Sequence, residues 1–286
     1  MHENRGCPEV KLGVMQGRLL PKYLGRYQAH PLGYWQDELP IAAELGLECI
    51  EFIFDFNDYE SNPLWSVDGR NEIIKVSSET DIKVHSVCAD FFMECPLHSK
   101  IEESRFFAKE TLIQLLQNCN DLEISDIVIP CVDQSSLASS QCMDLFKTQM
   151  LDVIPTAEKL GVNLSLETDL APNSFKNLLD DLNSISVTVN YDTGNSAALG
   201  YGFRDELEAY GDKITDLHIK DRLYNSGPIP LGEGDVDFEA FFIEFEKNDF
   251  KGPVIMQAYR DDEGLSVFKQ QMIFLTNLLR DLNWRS

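Results

Sequence analysis

Three segments in the second half of the chain read NLSLET (residues 163–168), VTVNYD (187–192) and ITDLHIKD (214–221). Each has the length of a β-strand and is rich in apolar or β-branched residues. Such character is typical of strands that are buried on both faces of a parallel sheet. Each segment also carries at least one side chain of a kind that binds metals or protons, and the candidates singled out are Glu167, Asp192 and His218.

Five further segments of the same kind precede or follow these three, at 11–16, 48–54, 83–90, 126–131 and 253–259. Between the strands lie stretches with helical spacing of apolar residues, at 35–45, 70–78, 101–116, 143–160, 238–246 and 265–282. Alternation of strand and helix predicts a parallel sheet covered by helices. Eight units in 286 residues favour a single (β/α)8 TIM-barrel domain over residues 1–286. The main rival is a doubly wound open sheet, but neither a GxGxxG turn nor a P-loop follows the first strand.

Composition narrows the possible partners and the compartment. Lys and Arg number 24 against 48 Asp and Glu, so the net charge of −24 argues against binding to nucleic acid. No apolar run approaches the ~18 residues that span a bilayer. The seven cysteines, Cys7 among them, show no CxxC spacing, and residues 1–10 show no secretory hydrophobic segment. We therefore expect a cytoplasmic protein with free thiols.

Catalytic residues of such a barrel come from the C-terminal ends of its strands. Glu167, Asp192 and His218 lie in or at the ends of neighbouring strands, and Gln257 in the last strand offers an amide oxygen. Together they could bind one divalent cation, Mn²⁺, Mg²⁺ or Co²⁺, with Zn²⁺ as a further option. The ordinary alternatives are a helix cap for Asp192 and a hydrogen-bonded core position for His218.

Six short motifs occur in order along nearly the whole chain: GVMQGR (13–18), CIEF (49–52), SLET (165–168), YDTGN (191–195), LHIKDR (217–222) and PLGEGDVDF (230–238). With them the sequence resembles the sugar isomerase/epimerase branch of the xylose isomerase-like barrel superfamily. The resemblance implies one divalent metal ion and proton transfer on a small sugar or sugar phosphate. It further implies that Glu167, Asp192 and His218 are metal ligands, that Glu167 is also a catalytic carboxylate, and that His85 and Arg222 contact the substrate.

Two residues depart from the pattern of that family. Gln257 stands where epimerases of the family commonly have a second glutamate, and Asn195 stands where C3-epimerases typically have a histidine. An amide cannot carry a proton at neutral pH. A symmetric exchange between two glutamates is therefore in doubt, and isomerisation through one base becomes more plausible, with His85 or a water as the second acid.

The resulting hypothesis is a metal-dependent isomerase or epimerase of a small sugar or sugar phosphate, working through an enediolate. The candidate catalytic residues are Glu167 and His85, and the candidate metal ligands are Glu167, Asp192, His218 and Gln257. The candidate substrate-binding residues are Arg222, Lys220, Arg18, Glu51 and Asn195, with Glu51 also a potential support for the metal ligands. We expect no nucleic-acid or membrane partner and consider a homodimer possible. The alternative is a non-enzymatic ligand-binding barrel that has lost one catalytic carboxylate at Gln257.

Overall fold

The computed structural model describes residues 11–284 and contains a closed barrel of eight parallel strands. The order around the barrel is β1-β10-β7-β6-β5-β4-β3-β2, and β2 pairs again with β1. The barrel strands are β1 (Leu12–Met15), β2 (Cys49–Ile53), β3 (Lys83–Cys88), β4 (Asp126–Cys131), β5 (Asn163–Thr168), β6 (Val187–Asp192), β7 (Ile214–Ile219) and β10 (Val254–Met256). Strands β8 (Asp221–Arg222) and β9 (Pro228–Ile229) form a small antiparallel pair beside it. The predicted (β/α)8 barrel is confirmed, and its strands are shorter than predicted at several ends.

Helices connect the strands, and each of the six predicted helical segments overlaps a helix of the structure. The helices are α1 (Glu38–Glu44), α2 (Val67–Thr80), α3 (Phe91–Glu94), α4 (Glu102–Asp121), α5 (Ser140–Leu160), α6 (Pro172–Leu182), α7 (Thr193–Leu199), α8 (Phe203–Tyr210), α9 (Phe238–Phe245) and α10 (Leu265–Asp281). The prediction missed α3, α6, α7 and α8. No helix in the described part of the chain has the length and apolar character to cross a membrane.

Local sequence signals explain where the longer helices begin and end. The Ser139 side chain accepts a hydrogen bond from the Cys142 N–H at the start of α5, and Asp237 does the same for Ala240 at the start of α9. Such caps satisfy backbone donors that the first helical turn leaves free. Helix α5 ends at Gly161, which takes a left-handed conformation with φ of 67°. Glycine adopts this conformation without the steric cost that a Cβ would bring.

Two apolar layers hold the barrel together. The larger one lies between the strands and the helices and includes the stacked phenylalanines of α9, Phe241 and Phe245. The smaller cluster consists of Met15, Cys49, Ile53, Cys88, Val128 and Ile255. The six cysteines of the described residues are free thiols, as predicted, and Cys7 lies outside the described residues.

Polar side chains also cross the interior of the barrel. Thr215 on β7 donates from Oγ1 to Asp126 Oδ1 on β4 at 2.6 Å and lies 2.8 Å from Thr188 Oγ1 on β6. Strands β4 and β7 are not neighbours, so this contact spans the inside of the closed sheet. A register shift between β6 and β7, at Val189 and Asn190, changes which side chains of β7 point inwards. The interior is therefore partly a hydrogen-bonded network rather than a purely apolar core.

The loop after β1 is fixed by a buried carboxylate. Glu38 at the start of α1 is fully buried and accepts hydrogen bonds from the backbone N–H groups of Gly17, at 2.8 Å, and Leu19, at 3.0 Å. Arg260 holds the same loop by donating to the carbonyl oxygens of Gly17 and Leu20. Burial raises the pKa of Glu38 to about 7, although the two N–H donors favour the ionised form. This arrangement positions Arg18 at the end of the barrel where the strands finish.

The raised pKa of Glu38 predicts a pH-dependent contribution to stability. Because folding raises its pKa from 4.5, the contribution is fully present below pH 4.5 and is lost as the pH rises through about 7. That change corresponds to about 3 kcal/mol. Between pH 4.5 and pH 8, we expect the wild type to lose about 3 kcal/mol of unfolding free energy relative to Glu38→Gln. Urea denaturation of both proteins at the two pH values measures this loss. A difference that stays constant with pH would show that Glu38 is ionised throughout.

Candidate active site

The predicted ligand residues lie at the same end of four neighbouring strands. In the barrel order β10-β7-β6-β5, Gln257 follows β10, His218 is in β7, Asp192 ends β6 and Glu167 is near the end of β5. The register places Asp192 directly beside His218. All four side chains belong to residues that are at most 6% exposed. Closure of the barrel therefore brings together the carboxylates, imidazole and amide that the sequence placed far apart.

His218 has one ring nitrogen bound and the other without a partner. Its Nε2 lies 2.7 Å from Glu51 Oε1 on β2, across the barrel interior, and 3.5 Å from Asp216 Oδ1. Its Nδ1 is buried and makes no hydrogen bond within the described residues. When Nε2 donates its hydrogen to Glu51, Nδ1 keeps the lone pair that a cation requires. The ring is thus held from behind with its free nitrogen available.

Glu51, Asp216 and His218 form a compact acidic group of their own. Their ligand atoms lie within 4.8 Å of one another, whereas Glu167 and Asp192 are outside this group. Burial raises the pKa of Glu51 to about 8 and that of Asp216 well above its usual range. At neutral pH these carboxyls therefore share protons rather than carry two full charges. All three side chains are fully buried, and Glu51 lies in the middle of β2, below the level at which the strands end.

Of the two roles expected for Glu51, its contacts agree with support of a metal ligand. It was a candidate for substrate binding, but it is fully buried and its two oxygens contact His218 Nε2 and the Ser86 hydroxyl. Its role in the structure is to orient the imidazole. The reason is that residue 51 lies in the middle of β2, below the level at which the strands end.

Glu167 and Asp192 each have one oxygen committed to the helix that follows β6. Asp192 Oδ1 accepts a hydrogen bond from the Asn195 N–H at 2.8 Å and so caps α7. Asn195 Nδ2 in turn donates to Glu167 Oε1. Burial, and next the negative charge of Asp192, raise the pKa of Glu167 to about 7. The predicted cap role of Asp192 and a ligand role for its second oxygen are therefore compatible.

Among the basic side chains of this region, Lys220 contacts Asp192, Arg222 contacts Asn195, and Arg18 lies in the loop after β1. Lys220 Nζ lies 3.2 Å from Asp192 Oδ2, and Arg222 Nη1 donates to Asn195 Oδ1 at 2.7 Å. Arg18 is almost fully buried and donates from Nη2 to the side chain of Gln28, while its Nη1 has no hydrogen-bond partner in residues 11–284. Arg260 serves the β1 loop instead. The site therefore combines buried acids with fixed positive charge, which suits a polar or anionic ligand.

Two residues of the site were missed by the sequence reasoning. Gln28, in the loop after β1, donates from Nε2 to Asp90 Oδ2 at 2.9 Å, and Gln257 Nε2 donates to Gln28 Oε1 at 3.3 Å. Burial raises the pKa of Asp90. Asp90 ends the segment predicted as the third strand. The expectation that functional residues lie at the C-terminal ends of strands, which identified Asp192, would therefore have identified Asp90 as well. Gln28 lies in a loop and carries no comparable signal.

His85, a candidate catalytic and substrate-contacting residue, does not contact the other candidate residues in the structure. His85 is the third residue of β3, and its Nε2 contacts the Ser125 hydroxyl just before β4. Burial lowers the pKa of His85, and the charges of Lys11, just before β1, and Lys83, at the start of β3, lower it further. Both lysines lie at the ends of strands where the chain enters the barrel. Its sequence position alone did not reveal which end of the strand it occupied.

The chemical types of four side chains suit the binding of a divalent cation: Glu167, Asp192, His218 and Gln257. Two carboxylates, one amide oxygen and one imidazole nitrogen make a fairly hard, oxygen-rich site. The observation that supports the fit is the buried, unpartnered Nδ1 of His218, because a buried polar atom without a partner is costly. Hydrogen bonding of its Nε2 to Glu51 is the usual support of a metal-binding histidine.

Comparison with known proteins agrees with the architecture. The L-ribulose-5-phosphate 3-epimerase UlaE of Salmonella heidelberg (strain SL476) is 27% identical over 252 residues, covering 83% of this chain and 87% of the relative. A D-tagatose 3-epimerase-like protein of known structure superimposes with a TM-score of 0.76 at 16% identity, covering 96% and 98% of the two chains. The IOLI protein with a bound zinc atom gives a TM-score of 0.72 at 16% identity, covering 95% and 99%.

The sequence model of one protein family matches residues 39–278, which is most of the chain. Its description, xylose isomerase-like TIM barrel, agrees with the closed eight-stranded sheet and with the resemblance inferred from the motifs. The chain belongs to the xylose isomerase-like TIM barrel family.

Proposed function

We propose that the protein is an isomerase or epimerase of a small sugar or sugar phosphate that works with one divalent cation. The observation that carries the proposal is the buried Nδ1 of His218, which has no hydrogen-bond partner in residues 11–284, together with the strand register that sets Asp192 beside His218. The carboxylate of Glu167 is buried nearby. Similarity to the epimerase UlaE, which acts on L-ribulose 5-phosphate, points to the same class of substrate.

Glu167 is the residue best placed to remove a proton from carbon. Asn195 binds one of its oxygens, and the other makes no hydrogen bond within residues 11–284. A carboxylate with one oxygen anchored presents the second in a fixed direction, which favours proton abstraction next to a carbonyl. Glu167, Asp192, His218 and Gln257 would hold the cation, which when bound supplies positive charge that stabilises a developing enediolate.

The positive side chains define the rest of the proposed binding site. Arg222 lies beside Asn195 and is partly exposed, and Arg18 has an unpartnered Nη1. Guanidinium groups suit the oxygens of a phosphate or of sugar hydroxyls. Because Gln257 cannot carry a proton, the return of the proton involves Glu167 itself or a water. A single base of this kind favours exchange between adjacent carbons, which is aldose–ketose isomerisation.

Substitution of Glu167 tests the proton transfer directly. We expect Glu167→Gln to lower solvent deuterium incorporation into substrate by about 10²–10⁴-fold, because the amide cannot accept the carbon-bound proton. The assay is mass spectrometry in D₂O on a panel of ketoses and ketose phosphates that includes L-ribulose 5-phosphate. The matched control is Glu110→Gln, an exposed residue of α4, with folding checked by circular dichroism. Wild-type exchange in Glu167→Gln would exclude Glu167 as the base.

Removal of the cation tests the metal dependence. We expect dialysis against a chelator to remove one equivalent of divalent metal and to abolish isotope exchange, because the oxygen donors alone do not stabilise the developing negative charge. Adding back Mn²⁺ or Zn²⁺ should restore exchange. Metal content is measured by mass spectrometry on the same samples. Full exchange by the metal-free protein would contradict the proposed cation, and absence of exchange with every substrate and cation would favour the ligand-binding alternative.

A further inference from the structure

Lys220 occupies the centre of the oxygen atoms that the proposed cation would need. Its Nζ lies 3.2 Å from Asp192 Oδ2, 3.1 Å from Gln257 Oε1 and 3.4 Å from Asn195 Oδ1. These acceptors come from the ends of β6 and β10 and from α7. Two of them, Asp192 and Gln257, belong to the proposed ligand set. The ammonium group therefore makes the contacts that a metal ion would make.

The lysine is held in this place by its own surroundings. The Lys220 backbone exchanges hydrogen bonds with the Thr193 hydroxyl at 3.1 and 2.7 Å. Its aliphatic stem lies against Gly194, where an added Cβ would come within 2.8 Å of Lys220 Cγ. The Lys220 side chain is only 13% exposed. A glycine at this position thus allows the lysine to enter the site, and the lysine is ordered rather than free in solvent.

Charge makes simultaneous occupancy unfavourable. An ammonium ion and a divalent cation on the same carboxylate oxygen repel each other in a buried environment, where screening by water is weak. Gln257 and Asn195 contribute oxygens without negative charge, so Asp192 is the one carboxylate among the three acceptors of Lys220 Nζ. The acceptors that bind one positive group are therefore not available to the second until the first moves away.

We infer that Lys220 and the divalent cation compete for Asp192 and Gln257, so that Lys220 sets the cation affinity of the site. The inference rests on the proposed cation site of the preceding section. Lys220 Nζ contacts the oxygens that a cation would bind, so binding of a cation requires the ammonium to swing away. The measured affinity is lowered by the fraction of molecules in which Lys220 occupies the site.

The test compares Mn²⁺ binding to the full-length wild type, Lys220→Met and the control Lys75→Met, by electron paramagnetic resonance of free Mn²⁺ at a fixed pH. Methionine keeps the length of the stem and removes the charge. Lys75 is an exposed residue of α2 whose nearest acid is Glu79, at 3.9 Å. We expect the dissociation constant to fall at least about tenfold in Lys220→Met and to stay at the wild-type value in Lys75→Met.

A second variant and a second measurement distinguish a change in Mn²⁺ affinity from misfolding of a variant. Lys220→Gln should also bind Mn²⁺ more tightly than wild type, and the rise in melting temperature on adding Mn²⁺ should be larger in both Lys220 variants. Equal affinity in wild type and both variants would overturn the competition while leaving the cation site intact. Failure of wild type and both folded variants to bind Mn²⁺ would overturn the competition together with the proposed cation site.

Discussion

The hydrogen bond between His218 and Glu51 is the contact on which the rest of the site depends. It joins β7 to β2 across the barrel at 2.7 Å, in a place fully sealed from solvent. A buried imidazole without this support would be free to turn, and its second nitrogen would lose its fixed direction. Because one nitrogen is bound and the other is free, the barrel presents a lone donor atom at the level where the strands end.

The acidic residues of the barrel have different roles at different depths. Glu51 and Asp216 lie deep in the interior, share protons and orient His218. Glu167 and Asp192 lie at the strand ends, and each keeps one oxygen for α7 and one for the site. The register shift between β6 and β7 sets this division, because it aligns Asp192 with His218. The same shift allows Thr215 to contact Asp126 and Thr188 inside the barrel.

The order of the strands and the residues at their C-terminal ends could be predicted from the sequence because buried parallel strands leave long apolar runs. Asp192 and Glu167 were found this way. The level of His85 in the barrel could not be predicted, because an apolar run does not show how far along the strand each of its residues lies. Helices α6, α7 and α8 were missed because they are short and follow strands closely. The contacts of Lys220 could not be predicted, since the direction of a long side chain depends on the packing around Gly194.

Crystals of the protein grown with Mn²⁺ would test the central claim most directly, through the anomalous scattering of the metal. The account predicts one strong peak within coordination distance of His218 Nδ1 and of oxygens of Asp192 and Glu167, with Lys220 Nζ displaced from Asp192. A peak on the Nε2 side of the ring, between Glu51 and Asp216, would contradict it. So would the absence of any peak beside His218 at saturating Mn²⁺.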